Sequence, residues 1–442
     1  MKTWRPYTLW TLAIGLLLVV AGCTQSATEA EPERKVYVAE TETGYQLIKD
    51  GEPFFVKGAC VRDDNWAEFK AAGGNTIRIY DTIGLRERLD RADSLGLMVA
   101  VDIPLPKYSK ENNWYAIPGN AEKVIQKITE VVSSHKDHPA LLFWILGNEL
   151  LYPISPTDGQ TFIEHFNSWI DLIHSIDPHH PLTSAITSFS RLTITSMFWR
   201  SPNLDFISVN YFGAINSLNS RLQVLAPLWK GPFMITEWGI NGPWEAREFT
   251  SWDIPIEQTS TKKAEIIVER YQVIKKLSAS RTLGSFLYYW GRTNSYGWYS
   301  TFLPDGRPTQ TTYEVAAMWG EEMKPYTGPK LGYILLEGQG APSSITLGPG
   351  KEVTASIHEV TPDLPELTVQ WEIRPENWEG HQSWKASLLP QTNFYSRNPG
   401  EVGFSTPTQE GPYRLYLYLG DKDGQVATAN IPFYVLNPED AK

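Results

Sequence analysis

The chain has 442 residues, 42% of them hydrophobic and 20% charged, which is ample apolar mass for its own core and excludes a disordered or fibrous protein. Its formal charge of -11, without a basic run, excludes a phosphate-tracking surface, so no nucleic-acid partner is expected. Two Cys exclude a disulfide framework, and the eight His form no spaced set with Cys or carboxylates, so neither a metal nor another cofactor is expected.

Residues 1–22 carry Lys2 and Arg5, then an apolar run from Leu9 to Val20, and end in Ala21-Gly22 before Cys23. The run is shorter than the roughly 20 residues of a membrane span, and its order of positive, apolar and small residues is that of an export signal. Val20-Ala21-Gly22-Cys23 resembles a bacterial lipobox, which implies cleavage before Cys23, lipidation of that residue and a membrane partner reached through acyl chains. With Thr24 rather than Asp after it, the resemblance implies a lipid-anchored protein of the bacterial cell envelope, at the outer membrane. Residues 23–35 are polar and aperiodic, a flexible tether. The other Cys, Cys60, is expected to be a buried structural residue.

From residue 36 to 325 short β-rich runs alternate with helical stretches. Residues 36–50 read as a hairpin that leads into the first strand and closes the bottom of the fold. The candidate strands are Phe54–Gly58, Asn75–Tyr80, Leu97–Asp102, Leu141–Leu146, Pro181–Ala185, Phe206–Asn210, Phe233–Thr236 and Leu283–Trp290. Between them lie helices at Asn65–Ala72, Leu85–Leu95, Asn120–His135, Gln160–Ile176, Asn219–Leu225 and Lys262–Ser278. Eight such units predict an α/β fold, the closed (β/α)8 TIM barrel; a doubly wound sheet would want a Gly-rich first turn, and that turn reads Ala59-Cys60-Val61-Arg62. Beyond the Pro-containing junction at 325–329 the pattern becomes strand-like, at Val353–Val360, Leu367–Ile373, Tyr413–Leu419 and Ala427–Leu436. Residues 330–442 therefore read as an immunoglobulin-like β-sandwich, docked rigidly on the barrel because the junction is short. Its Trp371, Trp378 and Trp384 are assigned to packing rather than to a glycan platform.

A barrel carries chemistry at the C-terminal ends of its strands. Two of those ends present a carboxylate directly after an apolar run: Glu149 after Leu141–Leu146, and Glu237 after Phe233–Thr236. Strands four and seven face each other across the mouth, so both groups reach one bond. Paired carboxylates flanking an acetal are what glycosidic cleavage requires.

Asn148-Glu149 and Glu237 in these positions resemble the signature of glycoside hydrolase clan A, the retaining TIM-barrel β-glycosidases, over roughly residues 45–323. The resemblance implies that Glu149 is the acid/base, Glu237 the nucleophile and Asn148 the holder of the sugar 2-hydroxyl. It implies further that Arg78 keeps Glu237 ionised, that Tyr211 hydrogen-bonds Glu237, and that Trp290 floors the sugar site. Asn210, where many clan members carry His, is a departure. Asp102 is the strand-end carboxylate best placed for a substrate contact, with Asp63, Asp64 and Asp81 as further acceptors. Tyr108, Trp114, Tyr115, Trp238, Trp244, Trp252, Tyr296, Trp298 and Tyr299 are candidate stacking platforms for a glycan of several units. Arg78-x-Tyr80 is similar to the strand-two ending of clan families 17 and 72, and Phe54–Gly58 to the opening of family 72 and family 2 barrels. This implies a β-1,3-glucan partner, with β-mannan, β-galactan, transglycosylation and a non-catalytic glycan-binding surface as alternatives. The protein is expected to be a monomer.

Overall fold

The computed structural model describes residues 35–442 except 63, 112, 156, 278–280, 292–300, 304, 321–324, 377–391 and 438–442. The expected export signal, Cys23, the expected tether as far as Arg34, Asp63, Tyr296, Trp298, Tyr299, Trp378 and Trp384 therefore lie outside the described residues. Eight parallel strands close a barrel in the order β7-β8-β1-β2-β3-β4-β5-β6. They are β1 (Val56–Cys60), β2 (Thr76–Ile79), β3 (Met98–Ile103), β4 (Leu141–Asn148), β5 (Leu182–Ile186), β6 (Ile207–Asn210), β7 (Phe233–Trp238) and β8 (Thr282–Leu287). The helices that follow each in turn are α1 (Trp66–Ala71), α2 (Leu85–Ser94), α3 (Asn120–His135), α4 (Gln160–Ile176), α5 (Arg191–Arg200), α6 (Leu218–Leu225), α7 (Ser260–Leu277) and α8 (Gln310–Trp319).

Helices α3 and α4 run over the residues that their apolar period predicts, because stripes such as Val124, Ile128, Val131 and Val132 have one face to bury. Helix α5 escaped that reading: its run Thr193-Ile194-Thr195 is β-branched, and tertiary packing with a Ser190 N-cap overrides the propensity. Aromatic rings fill the barrel, Phe143 lying 5.3 Å from Phe206 and 6.3 Å from Phe286. Gly58 makes room for them, since a Cβ there would sit 2.5 Å from the Phe286 ring.

The hairpin of Val36–Thr41 and Gly44–Lys49 covers the N-terminal end, where the Val36 N–H donates to the His179 carbonyl at 3.0 Å. The C-terminal sandwich has two four-stranded sheets. One holds Lys330–Leu336, Glu352–Thr361, Glu401–Ser405 and Tyr395–Asn398; the other holds Thr346–Leu347, Val426–Val435, Gly411–Gly420 and Thr368–Pro375. In Gly411–Gly420 the period of two sends Leu415, Leu417 and Leu419 into the sandwich core, where half-buried Trp371 also packs.

The opposite face of that strand meets the barrel. Tyr416, Tyr418 and Val426 enclose Leu303, and buried Arg414 donates to the Pro255 carbonyl at 3.1 Å, to Glu376 at 2.8 Å and to Asn430 at 2.6 Å. Glu257 accepts from Asn430 at 2.7 Å and from Lys263, so the start of α7 and the loop before it are tied to the sandwich.

Arg414→Ala would take a buried cation and its hydrogen bonds away from Glu376, Asn430 and the Pro255 carbonyl. We expect a loss of about 3–5 kcal/mol in urea unfolding. A loss under about 1 kcal/mol would mean that the sandwich contact does not depend on this pair.

Candidate active site

The cation at the centre of the mouth is Arg78, fully buried, on β2. Its Nε and Nη2 donate to the two oxygens of Asp102 at 3.0 and 2.8 Å, and Nη2 also to Asn148 Oδ1 at 2.8 Å. Its Nη1 donates to Glu237 Oε1 at 3.0 Å, to the Thr236 carbonyl at 3.1 Å and to Asn210 Oδ1 at 3.4 Å. Tyr80, two residues along the same face, lies under the guanidinium at 4.5 Å and donates its hydroxyl to Glu237 Oε1 at 2.9 Å.

Two irregularities in the barrel aim the acidic residues. Between β6 and β7, Val209 pairs with Ile235 but Asn210 with Glu237, so β7 gains a residue and re-aims its end. Between β4 and β5, Ile145 pairs with Thr183 and Asn148 with Ala185, again one extra residue. Gly147 absorbs that bulge at φ +77°, where a Cβ would also meet Leu150 at 2.7 Å. Glu149 follows at φ +53°, a left-handed conformation that non-glycine residues adopt at a cost and that clusters at functional sites. Its carboxylate accepts from Asn210 Nδ2 at 3.2 Å and from Lys107 Nζ at 3.1 Å. Asn210 Nδ2 also reaches Asn148 Oδ1 at 3.1 Å, and its own Oδ1 accepts from the Thr236 hydroxyl at 3.0 Å.

The structure thus gathers Arg78, Tyr80, Asp102, Asn148, Glu149 and Glu237. It corrects four expectations. Tyr211 does not touch the Glu237 carboxylate: Asn210 points inward, the next side chain turns out, and the Tyr211 hydroxyl meets Ser217 at 2.9 Å. Tyr80 holds the place expected of it. Asp102 is 1% exposed with both oxygens on Arg78, so it braces the cation and offers nothing to a substrate. Trp290 is wholly covered, edge-on to Phe69 and Phe302 at 5.5 Å each, with its indole N–H on the Asn65 carbonyl at 2.9 Å. Trp238 lies on the outer face of β7, opposite Glu237, and stacks on Tyr271 of α7 at 5.8 Å.

Several expected platforms are also core. Tyr108 and Tyr115 pack on Phe162 at 5.4 and 4.8 Å, half-buried Trp114 abuts Tyr115, and Trp252 leans on Tyr434 of the sandwich. Asp81 accepts from the Ile83 N–H and from Arg88, closing its own loop. Trp244 is 66% exposed and packs edge-on at 6.0 Å against buried Phe212, which in turn meets half-buried Tyr288 edge-on at 5.6 Å.

Sequence reasoning missed Asn210 as a member of the site and Lys107 as a partner of Glu149. The signal for Asn210 was its strand-end position in phase with Ser208. Buried Cys60 of β1 lies beneath the site, its thiol donating to the Thr236 carbonyl at 3.4 Å, with burial raising its pKa. Among the described residues no group of three His, Cys, Asp or Glu is arranged to hold a metal ion.

Burial pushes Glu237 up from 4.5 to about 7; Arg78 and the Tyr80 hydroxyl pull it down and Glu149 pushes it up.

No protein-family model matches the chain. Among solved structures it is similar to Bacteroides uniformis β-glucuronidase 2, covalently bound to cyclophellitol-6-carboxylate aziridine, with 14% identity over 91% of this chain and 48% of that one and a TM-score of 0.51. It is also similar to a GH2 β-galacturonidase from Eisenbergiella tayi bound to galacturonate, with 19% identity over 66% of this chain and 55% of that one and a TM-score of 0.50. The chain spans about half the length of these structures. What it shares with them is the fold, a TIM barrel with β-sandwich structure.

The raised Glu237 pKa has a consequence for stability. The fold holds that proton more tightly than the unfolded chain, so Glu237 contributes fully below pH 4.5 and loses its contribution as pH rises through about 7. Relative to Glu237→Gln, the native chain should lose on the order of 3 kcal/mol between pH 4 and pH 8 in urea unfolding. A pH-independent difference would contradict the assignment.

Proposed function

We propose that the protein is a retaining glycoside hydrolase acting on a β-linked glycan of several units, a β-1,3-glucan first among them. The observation that carries this reading is the placement of Glu149 and Glu237 at the ends of β4 and β7. Both belong to one hydrogen-bond network through Asn210, Thr236 and Arg78, yet their environments differ.

Glu237 receives Arg78 and Tyr80 on Oε1 alone, and among the described residues no hydrogen bond reaches Oε2. That oxygen attacks the anomeric carbon as the bond to the leaving oxygen breaks, and Glu149 delivers its proton to that oxygen. In the second half Glu149 takes a proton from water, whose oxygen attacks the same carbon and releases Glu237. Lys107 pairs with Glu149 in the resting state and has to yield as Glu149 takes up the proton for the first half.

Trp244, 66% exposed, supports a substrate of more than one unit, because stacking remote from the reacting bond supplies binding energy for sugar distortion. Arg78-x-Tyr80 serves Glu237, so the preference for a β-1,3-linkage rests on sequence resemblance. The uronidases of like fold place β-uronides on the same assay panel as β-1,3-, β-1,4- and β-1,6-glucans, mannan and galactan. Products longer than the starting oligomer would identify transglycosylation.

Glu149→Gln and Glu237→Gln should each abolish turnover with the fold intact, and azide should partly rescue Glu237→Gly as the α-glycosyl azide. NMR of the first product should show the β anomer; the α anomer would reject the retaining mechanism. Because the nucleophile must be ionised, kcat/KM should rise with pH through about 7. Tyr80→Phe removes a donor to that anion, so it should lower kcat/KM by about 10- to 100-fold and move the acid limb upward. An unmoved limb would detach Tyr80 from the nucleophile.

A further inference from the structure

The geometry points to the closed N-terminal end of the barrel as a face that rests on a lipid membrane. Phe198 and Trp199 end α5, with Val224 in the last turn of α6 and Leu228 just beyond it; these side chains are 42%, 69%, 60% and 39% exposed. The strands that follow, β6 and β7, start at Ile207 and Phe233, so all four side chains lie at the end opposite the mouth. Phe198 and Leu228 share a groove of about 620 Å³ with Tyr45 of the hairpin, Pro227, Trp229 and Lys230. Apolar and aromatic side chains beside an exposed cation are the composition of a surface that enters a headgroup layer. Soluble faces seldom group such residues without a partner.

The occupant follows from where the chain enters. Val36 bonds His179 at this same end, so the chain that leads from Cys23 joins the fold here. This inference rests on the expected lipid anchor at Cys23. A tether of about 13 residues extends at most about 45 Å, so acyl chains at Cys23 hold this end nearest the bilayer. The mouth with Glu149 and Glu237 then opens away from it, toward a polymer in solution.

Two of the protein's own features make the test clean. Cys60 is buried, and Cys23 is consumed by lipidation on this reading. Trp199→Cys and, separately, Trp244→Cys at the mouth would each carry a polarity-sensitive NBD label on the full, processed chain. The vesicles are phosphatidylcholine with phosphatidylglycerol and a nitroxide lipid. The label at 199 should shift to the blue and lose at least half its emission to the nitroxide, while the label at 244 stays as in water.

Protein that floats with the vesicles while the label at 199 stays aqueous would overturn the face and leave the anchor standing. Failure to float would remove the anchor, and the inference with it. A blue shift at 199 that grows with protein concentration in the absence of vesicles would assign the patch to a second copy of the chain and overturn the membrane.

Discussion

A buried guanidinium carries one positive charge and five N–H donors, and the mouth of this barrel is arranged to satisfy it. Leaving such a group unpaired inside a protein costs several kcal/mol, so its neighbours are constrained as strongly as any core residue. Asp102 neutralises Arg78 through two bonds, and Glu237, Asn148, Asn210 and the Thr236 carbonyl take the remaining directions. Strands β2, β3, β4, β6 and β7 are thereby fixed to one point. Glu237 is positioned, and partly held toward its anion, by the charge that Asp102 has already half spent. Burial works the other way, and the balance leaves Glu237 near neutrality rather than deep in the carboxylate range.

The sandwich extends the same rigidity to a loop at the mouth. Arg414 and Glu257 tie it to residues 255–263, the end of the long loop that leaves Glu237 on β7. That loop carries Trp244, the exposed ring packed edge-on against buried Phe212. Fixing one end of the loop to a second core lowers the entropy that a ligand bound there, the glycan of the proposed function, would otherwise have to remove.

The eight strands were legible because each is a short apolar run with helical sequence on either side, and Glu149 and Glu237 because a carboxylate after such a run has no packing role. What escaped the sequence was direction. Asn210 points in, and Tyr211 out, by plain alternation with Ser208, but the extra residue of β7 that brings Glu237 opposite Asn210 has no local pattern to announce it. Trp238, one residue from Glu237, had to face α7 for the same alternation to send Glu237 inward. Asp102 looked available for a substrate until its spatial neighbour, 24 residues back in the chain, was known. The sandwich edge Tyr395–Asn398 is exposed on both faces, so it lacks the alternation that marks the other strands. Trp290 sat at the right distance from a strand end to be a platform, but Phe69 and Phe302 cover it.

The central claim is that the Oε2 face of Glu237, left open by Arg78 and Tyr80, forms the bond to the sugar. A set of 2-deoxy-2-fluoroglycosyl fluorides of gluco, galacto, manno and glucurono configuration would trap that bond, and peptide mass mapping would locate it. The account predicts a stable glycosyl adduct on Glu237 with Glu149 unmodified. An adduct on Glu149 would contradict it.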